Sequence, residues 1–483
     1  MQVKSFIKCV LIILFVAICF VPAVTAAEPY TGYNFDQWDN PVFSQNGYTL
    51  AFEYSLYKEG GEEALCDMFV SDEGEIYILK SSEILILDKN FNEIKTIDSF
   101  THNGEERPLS SPRGIFVDKH KRIYIADTEN KRVIVCDQNG NIQKTYLRPV
   151  SGMYPDTMDF KPTKVVADNA SNVYVLCEGG YFGALIYDVD GVFSGFYGSN
   201  KVEVTFKVLT NRMWKKIMSK EQKDRFERFV PVEYNSFDID GENFIYTCTN
   251  STSDSLNELK KLNPAGKNIL PAADYGDREK VRYNGIITDT SFTDICVDGQ
   301  KYINVLDFSR KRIYQYDNDG NLLFVFGTEG NYKGGFVSPA AVDSIGDKIL
   351  VLDRDKYTIT VFELTEFGSY VHTAIELYND GLYKEAVPAW ENVIRLNSNY
   401  RAAYTGIGKA KILDNDYEGA MKYYKLGYNR ELFSQVYGEY RTAQMKKFFP
   451  LIVLLFAILI FLILSFVKKD SFLMRKIKER RKR

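Results

Sequence analysis

Histidine, the residue most often used for acid–base and metal chemistry, is rare in this chain, and its spacing argues against a conventional catalytic centre. There are three histidines, His102, His120 and His372. The first two fall in predicted loops and the third in a helical segment, so we do not expect them to converge. Hydrolases and lyases commonly place such side chains around a metal or a nucleophile. A histidine-ligated zinc or heme site is therefore not expected.

Carboxylates are abundant, and one set recurs at matched positions: Asp118, Asp168, Asp240 and Asp298. Each follows an apolar run and precedes a short turn, where an Asp side chain can accept hydrogen bonds from the turn's own backbone. This recurrence is typical of a structural role. An all-oxygen calcium site stays open as an alternative, because calcium takes oxygen ligands from loops. No other cofactor is indicated.

Sequence motifs for nucleophilic, phosphate or redox chemistry are absent: there is no GxSxG, GxxxxGK[ST] or CxxC segment. The glycine-rich stretch at 178–183 lies where a strand-connecting turn is due. Five cysteines follow the first 27 residues, and none has metal-ligand spacing. We interpret them as small buried hydrophobic residues of a sheet core: Cys66, Cys136, Cys177, Cys248 and Cys296.

The elements that would position any site come from an internal repeat. An apolar run, a short turn and a second β-rich run recur six times, at 68–79, 115–126, 165–176, 237–248, 295–306 and 341–352. Four copies continue into a tight turn that ends in glycine, at Gly140, Gly191, Gly266 and Gly320. A four-stranded antiparallel unit of about 45 residues is the building block of a β-propeller. The sequence therefore predicts a mainly β fold, a six-bladed propeller.

Residues 112–140 resemble an NHL repeat, and the resemblance extends over 62–368. The matching positions are Pro112, Gly114, Val117, Asp118, Tyr124, Ala126, Asp127, Asn130, Arg132, Val133, Asp137 and Gly140. The resemblance implies an NHL-type propeller of the bacterial membrane-anchored type. It also implies that residues ahead of the innermost strands, such as Arg113, face the central channel and contact ligand. The aromatic-rich segment 28–61 resembles the part of such proteins that could close the ring.

Residues 199–231 are surplus to the repeat and separate its third and fourth copies. Apolar residues, among them Trp214, stand near helical spacing between many charged ones. We interpret this insert as an amphipathic helix on one rim of the ring. It either packs over its own blade or acts as a lid or docking element, in which case Trp214 is a candidate ligand contact.

Beyond the propeller, residues 369–447 change to helical periodicity with matches 34 positions apart. The matched pairs are Tyr370 and Tyr404, Ala374 and Gly408, Tyr383 and Tyr417, Ala386 and Ala420, and Trp390 and Tyr424. This resembles a pair of tetratricopeptide repeats, although Thr373 and Ile407 replace the usual Leu. The resemblance implies a small α-helical domain that serves as a spacer before the membrane or binds a peptide.

Both termini indicate export and anchoring. Residues 1–27 carry Lys4 and Lys8, an apolar stretch and small residues, the pattern of a signal peptide; an uncleaved signal anchor is the alternative. Residues 448–467 form an uncharged apolar run of twenty, long enough for one transmembrane helix. The tail, 468–483, has nine Lys or Arg and two acids. The positive-inside rule makes that tail cytoplasmic and the rest extracytoplasmic.

The predicted function is non-catalytic binding or scaffolding at the cell membrane. The whole chain has a formal charge of −4, and with both termini excluded the remainder is acidic, which disfavours nucleic acid as a partner. The expected partners are a glycan, a peptide or another membrane protein, in an accessory role in solute uptake or envelope maintenance. The alternative is a lactonase- or lyase-type propeller enzyme that uses calcium.

Overall fold

A computed structural model of the chain describes residues 28–57, 63–198, 233–249, 258–277, 281–283, 286–288 and 290–481. The predicted signal peptide, the predicted helical insert and Trp214 lie outside these described residues. The chain divides into two units, Met1–Thr365 and Glu366–Arg483. The predicted fold class is confirmed: a six-bladed β-propeller is followed by a helical region with one long apolar helix.

In the described part of the chain, three strands precede the first blade. They are β1 (Tyr33–Phe35), β2 (Pro41–Phe43) and β3 (Tyr48–Ser55). Strands β1 and β2 pair with each other, whereas β3 belongs to the last blade.

The first three blades are antiparallel four-stranded sheets that follow one another along the chain. Blade 1 consists of β4 (Leu65–Val70), β5 (Ile76–Lys80), β6 (Ile84–Leu87) and β7 (Glu93–Ile97). A hairpin, β8 (Thr101–His102) and β9 (Glu105–Glu106), comes next. Blade 2 consists of β10 (Gly114–Val117), β11 (Ile123–Asp127), β12 (Arg132–Cys136) and β13 (Ile142–Tyr146). Blade 3 consists of β14 (Pro162–Ala167), β15 (Val173–Cys177), β16 (Ala184–Tyr187) and β17 (Phe193–Tyr197).

The remaining blades complete the ring. Within the described residues blade 4 has three strands, β18 (Ser236–Ile239), β19 (Ile245–Cys248) and β20 (Leu259–Leu262), and the hairpin β21 (Val281–Tyr283) and β22 (Ile286–Thr288) follows. Blade 5 consists of β23 (Phe292–Val297), β24 (Ile303–Asp307), β25 (Arg312–Tyr316) and β26 (Leu322–Phe326). After the parallel pair β27 (Thr328–Glu329) and β28 (Gly335–Phe336), blade 6 begins with β29 (Pro339–Ile345), β30 (Lys348–Asp353) and β31 (Thr358–Leu364).

The ring is closed by an N-terminal strand that completes the last, C-terminal blade. Strand β3 pairs antiparallel with β31 as the fourth strand of blade 6, with Tyr48 opposite Leu364 and Ser55 opposite Thr358. The Tyr48 ring also stacks on Phe326 of blade 5, with centroids 4.7 Å apart. The last blade is therefore complete only when the N-terminal strand has docked.

The turns have the local chemistry that the repeat predicts. The glycines that end the four tight turns, Gly140, Gly191, Gly266 and Gly320, have φ values of 80, 86, 73 and 83°. In blade 2 the Asp137 carboxylate accepts hydrogen bonds from the backbone of Asn139 at 2.8 Å and Asn141 at 3.0 Å. These turns fix the direction of each outer strand, because positive φ is strained for most other residues.

The hydrophobic core of the ring lies between neighbouring blades. One apolar cluster joins blades 2, 3 and 4, a second joins blades 1 and 2, a third joins blades 6 and 1, and a fourth joins blades 4 and 5. Four of the five described cysteines are buried, Cys66 is half-buried, and none forms a disulfide with another described cysteine. Each sheet thus packs face to face against the next sheet around the axis of the ring.

The second unit contains five helices within the described residues. They are α1 (Glu366–Asn379), α2 (Val387–Leu396), α3 (Arg401–Leu413), α4 (Tyr417–Leu426) and α5 (Arg430–Arg480). Consecutive helices contact each other. Gly408 of α3 lies so close to the Tyr424 ring of α4 that an added Cβ would stand 2.6 Å from it. The tetratricopeptide interpretation of this unit stays a prediction.

Helix α5 is 51 residues long and contains the apolar run of residues 448–467. An 18-residue window within it has a mean hydropathy of 3.2, and none of that window is buried. At about 1.5 Å per residue, twenty residues span about 30 Å, the thickness of a bilayer's hydrocarbon. By length and composition this helix can cross a membrane.

Candidate functional site: the channel-mouth cavity

The six innermost strands, β4, β10, β14, β18, β23 and β29, surround the central channel, each beside the next. A cavity of about 600 Å³ lies at the end of the channel where these strands turn into the second strand of each blade. All six blades contribute to its walls. We call it the channel-mouth cavity.

Strand register places two sets of six residues at matched positions around the channel. The deep layer consists of Asp67, Gly114, Lys164, Ser236, Asp294 and Ala341. The cavity-side layer, two residues further along each strand, consists of Phe69, Phe116, Val166, Asp238, Cys296 and Asp343. Because side chains alternate along a strand, both layers share one side of their strands.

A buried charge network occupies the deep layer. Lys164 Nζ lies 2.8 Å from Asp67 Oδ1 and 2.9 Å from Asp294 Oδ1. Burial opposes the charge of Lys164, but the carboxylates of Asp294 and Asp67 raise its pKa, so it stays protonated. We call these three side chains the channel triad; it joins blades 1, 3 and 5.

Carboxylates also join neighbouring blades through the backbone. Asp67 Oδ2 accepts from the Ile115 N–H at 3.0 Å and Asp294 Oδ2 from the Val342 N–H at 2.9 Å. Ser236 donates its hydroxyl to Asp294 Oδ1 at 2.7 Å. The two backbone bonds satisfy the buried Oδ2 atoms, which the ion pairs with Lys164 do not use, as a buried charge requires.

Two further carboxylates, Asp238 and Asp343, belong to the cavity-side layer. Asp238 Oδ2 accepts from the Val297 N–H at 2.8 Å, and Asp343 Oδ2 accepts from the Val70 N–H at 2.6 Å. Burial raises the pKa of Asp238 to about 7. Burial, together with the charge of Asp238, raises the pKa of Asp343 well above its ordinary value. Within the described residues neither carboxylate forms an ion pair.

The thiol of Cys296 stands between these two carboxylates in ring order, on blade 5. Burial and the charges of Asp343 and Asp238 raise its pKa well above the ordinary value. A thiol in this state is protonated and unreactive as a nucleophile. Cys296 is therefore a packing residue of the layer.

Aromatic side chains form the opposite part of the cavity-side layer. The rings of Phe69 and Phe116 meet edge to face with centroids 5.1 Å apart, and Phe116 continues onto Tyr124 at 5.9 Å. Phe69 is only half-buried and lines the cavity. The layer is thus apolar in blades 1 to 3 and mainly acidic in blades 4 to 6.

The rim of the cavity carries the recurrent turn aspartates, whose oxygens are used within their own turns. Asp118 Oδ1 accepts from the backbone of His120 at 2.9 Å and of Arg122 at 3.0 Å, and its other oxygen pairs with the Arg122 guanidinium at 2.6 Å. Asp168, Asp240 and Asp298 each accept the same pair of backbone bonds, as predicted for a structural role. The rim carboxylates are thus structural parts of the turns.

Of the two predicted ligand-contact residues, Arg113 lies within the described residues and Trp214 does not. Arg113 precedes β10, at the opposite end of the strand from the cavity, and its Nη1 lies 3.1 Å from Glu178 Oε2. The three histidines belong to different elements: His102 lies in β8 rather than in the expected loop, His120 at the cavity rim and His372 in α1 of the second unit. Among the described ranges, no group of three or more His, Cys, Asp or Glu is placed to hold a metal ion.

Sequence reasoning missed the channel residues Asp67, Lys164, Asp238, Asp294 and Asp343. A signal was available, since each is a charged residue within an otherwise apolar inner strand. A charge at such a place is costly unless it has a partner, so it marks either a network or a site. The pairing itself could not be read from the sequence.

No family model matches the sequence, and no curated protein matches it. Solved structures that it resembles include virginiamycin B lyase from Staphylococcus aureus, at 10% identity and a TM-score of 0.41, covering 66% of this chain and 100% of that one. Others are a gluconolactonase from Xanthomonas campestris (12% identity, TM-score 0.38, 65% and 89% covered) and the WD40 propeller domain of Doa1 (11%, 0.39, 67% and 99%). At these identities the likeness concerns the fold alone.

Proposed function

We propose that this chain is a non-catalytic binding or scaffold protein, anchored in the cell membrane by α5, whose NHL-type propeller recognises a partner outside the cytoplasm. The partner would be a glycan, a peptide or another membrane protein. The observation that carries the proposal is the unburied apolar run of α5 in a chain that also contains a closed ring of sheets. An accessory role in solute uptake or envelope maintenance fits this arrangement.

The physical support begins with the cost of exposing α5 to water. Twenty apolar side chains without protein cover would leave a large hydrophobic surface, which soluble proteins avoid. Burial in a bilayer removes that cost. The basic tail, 468–483, then favours the cytoplasmic side, and the tetratricopeptide-like helices act as the spacer between propeller and membrane.

The propeller supports a recognition role because it offers a rigid ring with loops at both ends. Inter-blade cores and the channel triad hold the inner strands, so little conformational entropy is lost when a partner binds. The buried carboxylates of the channel are engaged with backbone amides and Lys164 rather than with a nucleophile. This arrangement favours binding over chemistry.

The anchor is tested by placing two charges in the apolar run of the full chain, as Ile458→Lys with Leu459→Lys. Each charge at the centre of a membrane helix costs about 2.5–3.5 kcal/mol on insertion scales, so the variant should leave the membrane fraction. The matched control puts the same charges on the same helix outside the run, as Gln435→Lys with Gln444→Lys, and should stay membrane-bound. Equal membrane recovery of both variants would contradict the anchor.

Orientation is tested by protease treatment of intact cells. We expect the propeller to be exposed to the protease and an epitope fused after Arg483 to be protected. Cleavage of the epitope with protection of the propeller would reverse the topology and would remove the extracytoplasmic role.

A further inference from the structure

The channel-mouth cavity has a volume within the range of small-molecule sites, about 300–1,000 Å³. The channel triad lies just below its floor in the deep layer. Two walls of different chemistry face each other across the cavity. A channel with a purely structural role would not need this asymmetry.

The apolar wall comes from blades 1 and 2, where the half-buried Phe69 packs edge to face against Phe116. In a ring of six blades, Phe69 of blade 1 stands opposite Asp238 of blade 4. An aromatic face can receive an apolar group, and it also attracts cations through its ring quadrupole.

The acidic wall comes from Asp238 and Asp343, carboxyl groups that line the cavity and form no ion pair among the described residues. The nearby cation in the deep layer, Lys164, is bound to Asp67 and Asp294. Each carboxylate accepts backbone N–H bonds on both oxygens, yet an oxygen has capacity for a second donor. A bound cation would compensate the charge that burial penalises.

Other ligand classes fit less well. Nine acidic and three Lys or Arg residues line the cavity, which repels anions. Calcium takes six to eight oxygen ligands. Asp238, Asp343 and the recurrent turn aspartates accept backbone N–H bonds, and no described residues here group to hold a metal.

We propose that the channel-mouth cavity binds a small organic ammonium compound, its nitrogen at Asp238 and Asp343 and its apolar part against Phe69 and Phe116. This inference rests on the proposed binding function and names a ligand class for it. The recognition is by charge and shape, and no bond is made or broken.

The test is isothermal titration calorimetry on the purified full chain in detergent, with probes of one shape and different charge. The aromatic ammonium 2-phenylethylammonium should bind, and its neutral analogue 2-phenylethanol and the anion phenylacetate should bind at least about tenfold more weakly, the equivalent of about 1.4 kcal/mol. Equal binding of the alcohol, no binding of the ammonium probe, or displacement of it by stoichiometric calcium would each overturn the proposal.

Variants identify the contacts. Asp238→Asn and Asp343→Asn should each weaken 2-phenylethylammonium about tenfold or more, and Phe69→Leu several-fold, with folding checked by circular dichroism. The matched control is Asp347→Asn, which removes the same charge from the exposed rim turn and should change affinity less than twofold. If Asp347→Asn lost as much affinity as Asp238→Asn, the effect would come from the overall negative potential of the cavity, and the assigned site would be wrong.

A pH series on the unaltered chain keeps the test valid if a variant fails to fold. The probe stays protonated between pH 6 and pH 8, whereas Asp238, with its pKa near 7, loses most of its charge at the lower value. Binding should weaken up to about tenfold between pH 8 and pH 6. The charged groups around Asp238 are Lys164 and Asp294 of the two flanking strands and Asp343 of the acidic wall. Asp298, whose pKa burial raises to about 6, also lines the cavity and titrates over the same range. Binding that does not change with pH would contradict the role of Asp238.

The two proposals fail in different experiments. Absence of ammonium binding in a chain that still fractionates with membranes removes only the ligand assignment. Loss of membrane association with intact ammonium binding removes the anchored role and leaves the cavity assignment standing.

Discussion

Lys164 Nζ lies 2.8 Å from Asp67 Oδ1, a contact between residues 97 positions apart that crosses the propeller channel from blade 3 to blade 1. The same ammonium lies 2.9 Å from Asp294 Oδ1 of blade 5. One buried side chain therefore connects alternate blades of the ring. Because Asp67 and Asp294 share this one cation, the charge balance of the deep layer depends on Lys164.

We predict that Lys164→Met destabilises the propeller by about 3–5 kcal/mol, because it leaves two buried carboxylates without their cation. The measurement is the free energy of unfolding from chemical denaturation. The matched control is Lys161→Met on the segment leading into β14, whose ion pair with Glu129 is exposed and should contribute little. A loss in Lys164→Met no larger than in the control would show that the triad is not a structural centre.

The pKa of Asp238 predicts a pH-dependent stability. Its ordinary value is 3.8 and its folded value about 7, so between these the folded state holds a proton that the unfolded state has released. Stability from this group is therefore present at low pH and lost as pH rises toward 7. The free energy of unfolding of Asp238→Asn, measured relative to the unaltered chain, should therefore rise by about 2 kcal/mol between pH 5 and pH 8. One pKa unit corresponds to about 1.4 kcal/mol, and cavity water screens part of the effect.

The measurement for this prediction is the difference in unfolding free energy between variant and unaltered chain at each pH. Asp347→Asn serves as the control, because its side chain is exposed at the rim, and its difference should stay flat. A flat difference for Asp238→Asn as well would show that its ionisation is not coupled to folding.

Closure of the ring by β3 predicts a role for Tyr48. Its hydroxyl accepts a hydrogen bond from Gln315 Nε2 at 2.9 Å, and its ring is fully buried. Tyr48→Phe should cost about 1–2 kcal/mol, and Tyr48→Ala about 3–5 kcal/mol through the cavity it leaves.

Hydrogen exchange on β31 measures this closure directly. Amides of β31 that pair with β3 should exchange faster in Tyr48→Ala, whereas those of blade 3 should change only with global stability. Tyr57→Phe, at an exposed tyrosine just after β3, is the control. Unchanged protection of β31 in Tyr48→Ala would mean that β3 is not needed to close the blade.

Metal analysis separates binding from the calcium-enzyme alternative. We expect the purified full chain to hold no stoichiometric ion, and a chelator to shift its unfolding temperature by no more than about 1 °C, because a ligand that stabilises the fold raises that temperature. A tightly held ion whose removal abolishes a lactonase or lyase activity would favour the enzyme instead.

The repeated fold could be predicted because its signals are local. Strand alternation, the aspartates that bond their own turns and the glycines at positive φ all act within a few residues. The strand pattern recurs six times, and these aspartates and glycines recur four times each. The apolar run of α5 is equally local, since hydropathy is a property of consecutive residues. These features determined the blade count and the apolar helix from the sequence by itself.

Only the tertiary structure decided which charges meet. Strand register places Asp67, Lys164 and Asp294 at equivalent positions of their own blades. They come into contact only when six blades close around one axis. The same closure makes one wall of the cavity from Phe69 and Phe116 and the other from Asp238 and Asp343. A sequence records the spacing along a chain, whereas a channel is formed by residues whose separation is set by the ring.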